Sequence, residues 1–273
     1  MAETLRQILV VIDPTRQEQW ALDKAIMIAQ GQASLEVTAY LAAFSTADAD
    51  DHDALRAAEI ARQGLWLNEL LKARKPGNID VTPVVEWHED WPTAVIDAAT
   101  RIDAGLVIKQ GSGKPKALGS SDRQLIRGVQ TAVMLVNRQP KAQLGTVLAA
   151  LNLNAEDAEH QRLNEMLIET ANRIRGTHAA ADLHVVNAYP DSDNFVHPPD
   201  LAKKAGVARS HAHSQPGKPA DVIEQVASKV GAELVIIGSV GRQGLSGWSI
   251  GNTAERILGS LDSDVLILGV DSG

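Results

Sequence analysis

Short apolar runs alternate with amphipathic segments along the whole chain. Runs such as Ile8–Ile12 and Val265–Leu268 are apolar throughout, which is typical of parallel strands covered on both faces. Segments such as Asp53–Lys72 instead place apolar residues at helical spacing. The pattern predicts strands at 8–12, 35–43, 81–87, 106–108, 132–136, 147–151, 182–188, 207–213, 234–237 and 265–268. It predicts helices at 17–30, 53–72, 93–101, 154–175, 201–205, 220–230 and 253–258.

The second half of the chain repeats the first. Four segments return in the same order, 127 to 139 residues later, and four ordered matches indicate a duplication. The paired segments begin at Gln7 and Thr146, Pro92 and Pro219, Ala104 and Ala232, and Val133 and Val265. Strands that alternate with helices predict an α/β fold with two doubly wound, five-stranded parallel sheets. The polar stretch Gln139–Gly145 is the predicted linker, which places the domains at 1–140 and 141–273.

Composition narrows the class of protein. The 273 residues include no cysteine, which excludes disulfides, thiolate metal sites and a cysteine nucleophile. A net charge of −8 and 3% aromatic residues argue against a nucleic-acid partner, which needs cations and stacking rings. The sequence contains no apolar stretch long enough to span a membrane and no signal peptide at its start. We therefore expect a soluble, cytoplasmic protein.

A glycine-rich segment follows the fourth strand of the second half. Glycines occur at 238, 241, 244, 247 and 251, and they allow a backbone to approach a ligand closely. Asn252 and Thr253 are good N-cap residues for the next helix, whose N-terminus could bind phosphate with help from Arg242. The segment is neither a Walker A loop nor a dinucleotide fingerprint. An ordinary loop with a capped helix is the alternative.

The spacing Gly238-x2-Gly241-x9-Gly251 resembles the ATP-binding signature of universal stress proteins. The Gly-Asn-Thr-Ala-Glu run and the duplicated length are similar to the tandem-domain, UspE-like type of that family. The family pattern normally ends in Gly-Ser or Gly-Thr, whereas Asn252 follows the last glycine here. The resemblance implies a stress-response and survival factor that binds ATP, with or without Mg²⁺ and without a redox cofactor, and that hydrolyses it slowly or not at all.

The resemblance also assigns roles by position. Asn152 takes the place of an Asp that contacts adenine, and Ala188 takes the place of a residue that flanks the base. The glycines and the residues after them would hold ribose and phosphates, with Thr253 supplying the missing hydroxyl. The resulting set of binding residues is Asn152, Ala188, Gly238, Gly241, Arg242, Gly251, Asn252 and Thr253.

The first half departs from this pattern. Gln110 stands at the position of Gly238, the glycine-rich segment is four residues shorter, and Pro115 lacks an N–H. Asp13 remains at the end of the first strand, where it is either a remnant of a binding site or a helix cap, and we favour the cap. We expect the nucleotide in the C-terminal half.

Two other functions stay open: an ATPase or phosphotransferase at the same site, and a nucleotide-free scaffold for a small molecule or lipid. The spacing assembles no catalytic set and no metal site. His211 and His213 would share one face of a strand, but the sequence identifies no third ligand, so we expect solvent-facing histidines. In the resembling family the last strand pairs subunits, which implies an intrachain domain pair and leaves room for a further homodimer.

Overall fold

The computed structural model describes residues 5–30, 32, 34–47, 50–74, 77–111, 118–178, 180–240 and 252–270. Contacts divide these residues into two compact units. The N-terminal unit holds residues up to Gly111 and Ser120–Val136, and the C-terminal unit holds the chain from Asn137 onward. The described residues include no helix long and apolar enough to cross a membrane.

The N-terminal unit alternates strands and helices. Its elements are β1 Gln7–Val11, α1 Trp20–Gln30, β2 Glu36–Ala43, α2 His52–Arg74, β3 Val81–Trp87, α3 Trp91–Arg101, β4 Leu106–Gln110, α4 Ser120–Gly128 and β5 Ala132–Val136. The strands form a parallel sheet in the order β3-β2-β1-β4-β5. The order reverses between β1 and β4, which makes the carboxyl ends of these two strands the expected place for a ligand.

The C-terminal unit repeats this topology. Its elements are β6 Thr146–Leu151, α5 Ala158–Thr177, β7 Asp182–Tyr189, α6 Pro198–Ala205, β8 Ala212–Pro216, α7 Pro219–Val230, β9 Ala232–Val240, α8 Asn252–Ser260 and β10 Asp264–Val270. The parallel strand order is β10-β9-β6-β7-β8, with the reversal between β6 and β9. The predicted fold class, two doubly wound five-stranded parallel sheets, is confirmed.

The apolar faces of the helices cover each sheet, so the hydrophobic core of each unit lies between its sheet and its helices. Ile8, Leu9 and Val10 of β1 are completely buried, as are Val147, Leu148 and Ala149 of β6. The local signals for helix ends also hold in α7. Pro219 opens it, and Gly231 closes it in the left-handed conformation at φ 64°.

Several predicted boundaries are wrong. The strand predicted at 207–213 lies at Ala212–Pro216, because Arg209–His211 forms a 3₁₀ turn before it. Helix α1 begins at Trp20 rather than at residue 17, and helix α4 was not predicted at all. Strand β9 continues through Gly238 to Val240, since it pairs with β10 over that whole length.

The polar stretch predicted as a linker is tied to the C-terminal unit. The Asn137 side chain donates to the carbonyl of Ser263 at 2.8 Å, and its backbone N–H donates to Asp264 at 2.9 Å. Glu233 accepts from Lys141 Nζ at 2.6 Å and from the Gly145 N–H at 2.7 Å. The bond from Lys141 is the main reason that the pKa of Glu233 lies below its ordinary value. The domain boundary between residues 140 and 141 stays a prediction.

Candidate functional site

Asn152 lies directly after β6, at the carboxyl edge of the C-terminal sheet. Its backbone is held on both sides by the buried Asn164 of α5: the Asn152 N–H donates to Asn164 Oδ1, and Asn164 Nδ2 donates to the Asn152 carbonyl, both at 2.9 Å. The Asn152 side chain is exposed and bonds to no other described residue. The fold therefore presents an uncommitted amide at this edge.

Ala188 lies one residue before the end of β7 and is half-buried. Its carbonyl accepts from Asn154 Nδ2 at 2.9 Å, so the loop after β6 is fastened to the end of β7. This bond brings the segment that carries Asn152 close to Ala188.

Asn187 strengthens the same junction and was missed by the sequence analysis. Its side chain is fully buried, and its Oδ1 accepts from the Leu153 N–H at 2.8 Å. Its Nδ2 has no hydrogen-bond partner among the described residues. A buried amide N–H without a partner is unfavourable and is rare in folded proteins. The sequence offered one clue to Asn187, namely a polar amide residue near the end of an otherwise apolar strand.

Gly238 lies at this edge for a different reason from the one predicted. A Cβ at this position would come within 2.4 Å of Cδ2 of Leu163 on α5, which is closer than carbon atoms approach. Gly238 is paired with Leu268 inside the sheet, and it is not among the described residues with positive φ. Close packing of a helix on the strand therefore requires the glycine, without reference to a ligand.

The remaining predicted residues are described only in part. Gly241, Arg242 and Gly251 lie outside the described residues. Asn252 and Thr253 begin helix α8, as predicted, but their side chains are not described. The buried residues Ala254, Ile257 and Leu258 anchor α8, and Arg256 forms an ion pair with Asp221 of α7. The start of this helix is thus held in the fold by its later turns.

The matching edge of the N-terminal unit is filled by its own side chains. Gln110, at the position of Gly238, is buried, and its Oε1 accepts from the Trp20 N–H at 2.9 Å, which caps α1. Lys109 beside it forms a 2.9 Å ion pair with Asp122 of α4. At this edge of the N-terminal unit, the side chains after the fourth strand are therefore engaged by other residues of the unit.

Asp13 ends the first strand but does not cap helix α1, which begins seven residues later. Its carboxylate accepts from the N–H and the hydroxyl of Thr15, at 3.0 and 2.6 Å, and pairs with Arg16 at 3.1 Å. Burial opposes ionisation, but the bonds from Thr15 and Arg16 outweigh it, so the pKa of Asp13 is lowered. The prediction that Asp13 caps a helix is wrong. Its carboxylate instead stabilises the turn that contains Thr15 and Arg16.

Three features of the chain point to one family. They are the duplicated α/β unit, the reversal of strand order beside the first strand of each unit, and the glycine-rich segment after the fourth strand of the second unit. The model of the universal stress protein family matches residues 4–137 and again 142–269. The chain belongs to the universal stress protein family. It is of the tandem type, since the two matches cover both units.

Curated relatives share this tandem length. Universal stress protein E of Escherichia coli K12 is 26% identical, over 97% of this chain and 94% of that protein. The universal stress protein E homolog of Haemophilus influenzae is 24% identical, over 96% of both. A solved structure from Pseudomonas aeruginosa UCBPP-PA14, provisionally named a universal stress protein, has a TM-score of 0.78 and 29% identity, covering 97% of this chain and 93% of that one. One from Archaeoglobus fulgidus, with a TM-score of 0.75 and 15% identity over 98% and 99%, shares the fold.

A separate pocket lies in the N-terminal unit, where β2 and β3 end and α2 begins. Its volume is about 640 Å³, and the rings of Phe44 and Trp87 lie 5.5 Å apart at its wall. Phe44 is 43% exposed, which is high for a phenylalanine without a partner chain. The other lining residues are Ser45, Thr46, Ala47, His52, Asp53, Leu55 and Arg56. This pocket was not predicted from the sequence.

Proposed function

We propose that the C-terminal unit binds an adenine nucleotide, with ATP as the ligand, and that the protein acts as a nucleotide-responsive stress factor in the cytoplasm. The observation that carries this proposal is the exposed, uncommitted side-chain amide of Asn152, whose backbone is held by Asn164 at the switch point of the sheet. Membership of the family and the glycine spacing after β9 support it.

The described residues fit such a ligand. The side-chain amide of Asn152 both donates and accepts, so it can read the edge of an adenine ring without a charge. The Ala188 carbonyl lies beside it through the Asn154 bond, and Asn187, whose Oδ1 accepts from the Leu153 N–H, holds the same loop in place. The N–H groups at the start of α8, with Arg242, Gly241, Gly251, Asn252 and Thr253, would hold the phosphates and any Mg²⁺ they carry.

Calorimetric titration with ATP tests the assignment. Asn152→Ala and Gly251→Val are expected to weaken ATP binding by about tenfold or more, since each removes a contact proposed for the ligand. Asp13→Ala is the matched control, because Asp13 holds the corresponding position in the N-terminal unit. Unchanged affinity in both C-terminal variants would refute the site. Gly238→Val is unsuitable, because a larger side chain would collide with Leu163 whether or not ATP binds.

We expect slow turnover at most, since phosphoryl transfer needs a metal-binding acid and a group that positions the nucleophile, and the sequence assigns neither. Metal-dependent turnover well above background, lost in Gly251→Val, would favour the ATPase or phosphotransferase alternative. Turnover retained in that variant would place the hydrolysis elsewhere. Light scattering after size exclusion, with and without ATP, tests whether the chain also forms a homodimer.

The pocket beside Phe44 and Trp87 favours a second candidate function, the binding of a small apolar molecule by the N-terminal unit. Two rings and a cation, Arg56, suit a ligand with an apolar body and a negative group. Native mass spectrometry of the purified chain distinguishes the candidates by the mass carried: a nucleotide, an apolar acid or nothing. Trp87→Ala should release the apolar ligand and leave a nucleotide in place.

A further inference from the structure

Three histidines and an aspartate gather on one face of the C-terminal sheet, at the amino ends of β7 and β8 and so at the opposite edge from the proposed nucleotide site. Asp182 and His184 lie two residues apart on β7, so their side chains share a face. His213 on β8 is in register with Val186, and His211 precedes it by two residues. The four side chains therefore form two adjacent columns on the same side of the sheet.

Three of these side chains can reach one ion. The ligand atoms of Asp182, His184 and His211 all lie within 4.8 Å of one another. The donor atoms of a tetrahedral zinc site with bonds of about 2.1 Å are about 3.4 Å apart. The cluster would have to close by about an ångström, which rotation of half-exposed side chains can provide. His184 and His211 are stacked at 4.2 Å between ring centres, so the His211 ring must tilt about its bond to the Leu183 carbonyl to direct its lone pair at the ion.

The hydrogen bonds leave suitable nitrogen atoms free. Nδ1 of His211 lies 3.2 Å from the carbonyl of Leu183, which only accepts, so the proton is on Nδ1 and Nε2 keeps its lone pair. Nδ1 of His184 lies 3.0 Å from Nε2 of His213. When His184 donates in that pair, its own Nε2 is free as a ligand, and His213 fixes the ring as outer-shell partners of metal-bound histidines do.

Charged groups face the cluster from two elements. Burial, and then the charges of His184, Lys229 and His211, lower the pKa of His213 to about 4, which shows that Lys229 of α7 acts on this part of the sheet. The charge on Lys229 opposes a bound cation, and the carboxylate of Asp182 counters it.

We propose that Asp182, His184 and His211 bind a late transition-metal ion of the Zn²⁺ class, with His213 as a positioning residue for His184. Two imidazoles and a carboxylate are the donor set that such ions prefer, whereas Mg²⁺ and Ca²⁺ take oxygen ligands. Three protein ligands leave a fourth position for water. The site lies on the β7–β8 face of the C-terminal unit and does not depend on nucleotide binding.

Calorimetric titration of untagged, chelator-treated chain with zinc chloride tests the site. We expect one Zn²⁺ per chain, and at least tenfold weaker binding in His184→Gln and in His211→Ala. His197→Ala is the control, since His197 is an exposed histidine of the same unit outside the cluster. Melting temperatures of the metal-free variants test whether each one is folded. We expect at least His211→Ala to fold, because His211 lies outside the strands.

Cobalt substitution tests the positioning role. The visible absorption of bound Co²⁺ should change in His213→Ala and return in His213→Gln, whose amide can again accept from His184, whereas a purely structural role would leave the spectrum unchanged. Absence of zinc binding would overturn the proposal. So would an affinity that survives both ligand substitutions, which would mean an adventitious ion only, or a loss of binding in His197→Ala.

Discussion

The carboxyl edges of the two sheets began as copies and now differ in what fills them. In the N-terminal unit, the Gln110 side chain enters the edge and bonds to the first turn of α1, and Asp13 is engaged by Thr15 and Arg16. In the C-terminal unit, Gly238 leaves that space to Leu163, and the side chain of Asn152 stays free of the protein. Duplication thus allowed one edge to be satisfied internally and kept the other available for a ligand.

The largest expected effect comes from copying the N-terminal residue into the C-terminal unit. Gly238→Gln would place a Cβ 2.4 Å from Leu163, and we expect it to destabilise the unit by about 3 kcal/mol through overpacking. Leu163→Ala in the same chain should recover part of that loss, as a double-mutant cycle in urea would show. Gly176→Ala is the matched control, because no atom lies within 4 Å of its added methyl group. An additive cycle would contradict the packing argument.

The junction around Asn152 should respond next. Asn164→Ala removes both bonds to the Asn152 backbone and leaves its part-buried N–H and carbonyl without their protein partner, which we expect to cost about 2 kcal/mol. ATP affinity should fall with it if Asn152 contacts the base. Denaturant melts give the first quantity and calorimetry the second. If the variant is destabilised but keeps its full ATP affinity, the bonds between Asn164 and Asn152 do not contribute to ATP binding.

Removing the internal occupant of the N-terminal edge is the reciprocal experiment. Gln110→Ala deprives the Trp20 N–H of its acceptor, and we expect a loss of about 1 kcal/mol in the stability of that unit. Leu125→Ala, a cavity in the same unit away from the helix start, provides the comparison, with a larger loss of about 3 kcal/mol. A Gln110→Ala variant as stable as the parent would mean that water replaces the cap without penalty.

The smallest expected effect is a pH dependence at Asp13. Because its pKa is lowered on folding, the stabilisation is present above the unfolded pKa of about 3.9 and disappears as the pH falls through the lower folded value. The carboxylate is 41% exposed, so screening keeps the contribution of its charge below about 1 kcal/mol. Asp13→Asn should therefore be slightly less stable than the parent at pH 7, and the difference should shrink as the pH falls through the lowered pKa of the folded state. A difference that persists in acid would assign the effect to something other than charge.

Much of the fold followed from local pattern, and less of the candidate site did. The apolar run at 8–12 and the Pro219 helix start were found because strand and helix periodicities are carried by neighbouring residues. Helix α4 was missed, since its charged exposed face masks the buried Leu125 and Ile126. Strand β8 was shifted, because a 3₁₀ turn and a strand compete for the same polar residues.

At the site, the positions of Asn152 and Ala188 followed from strand ends and from the family resemblance. The roles of Asn164 and Asn187 did not, because an amide in a helix or a strand shows its partner only when the chain is folded. Gly238 was predicted to let the backbone approach a ligand, whereas the group that approaches it in the fold is Leu163. Sequence alone does not distinguish a ligand from a helix as the reason for a glycine.

By itself the sequence determined the duplication, the alternation of strands and helices, the two parallel sheets and the family, because these depend on short-range patterns of apolar and polar residues. Tertiary structure decided which edge is filled and which is free, and it brought His184 to His213 across 29 residues of chain. Such contacts depend on strand register and on helix packing against the sheet. These are set by the core as a whole, so no local pattern records them.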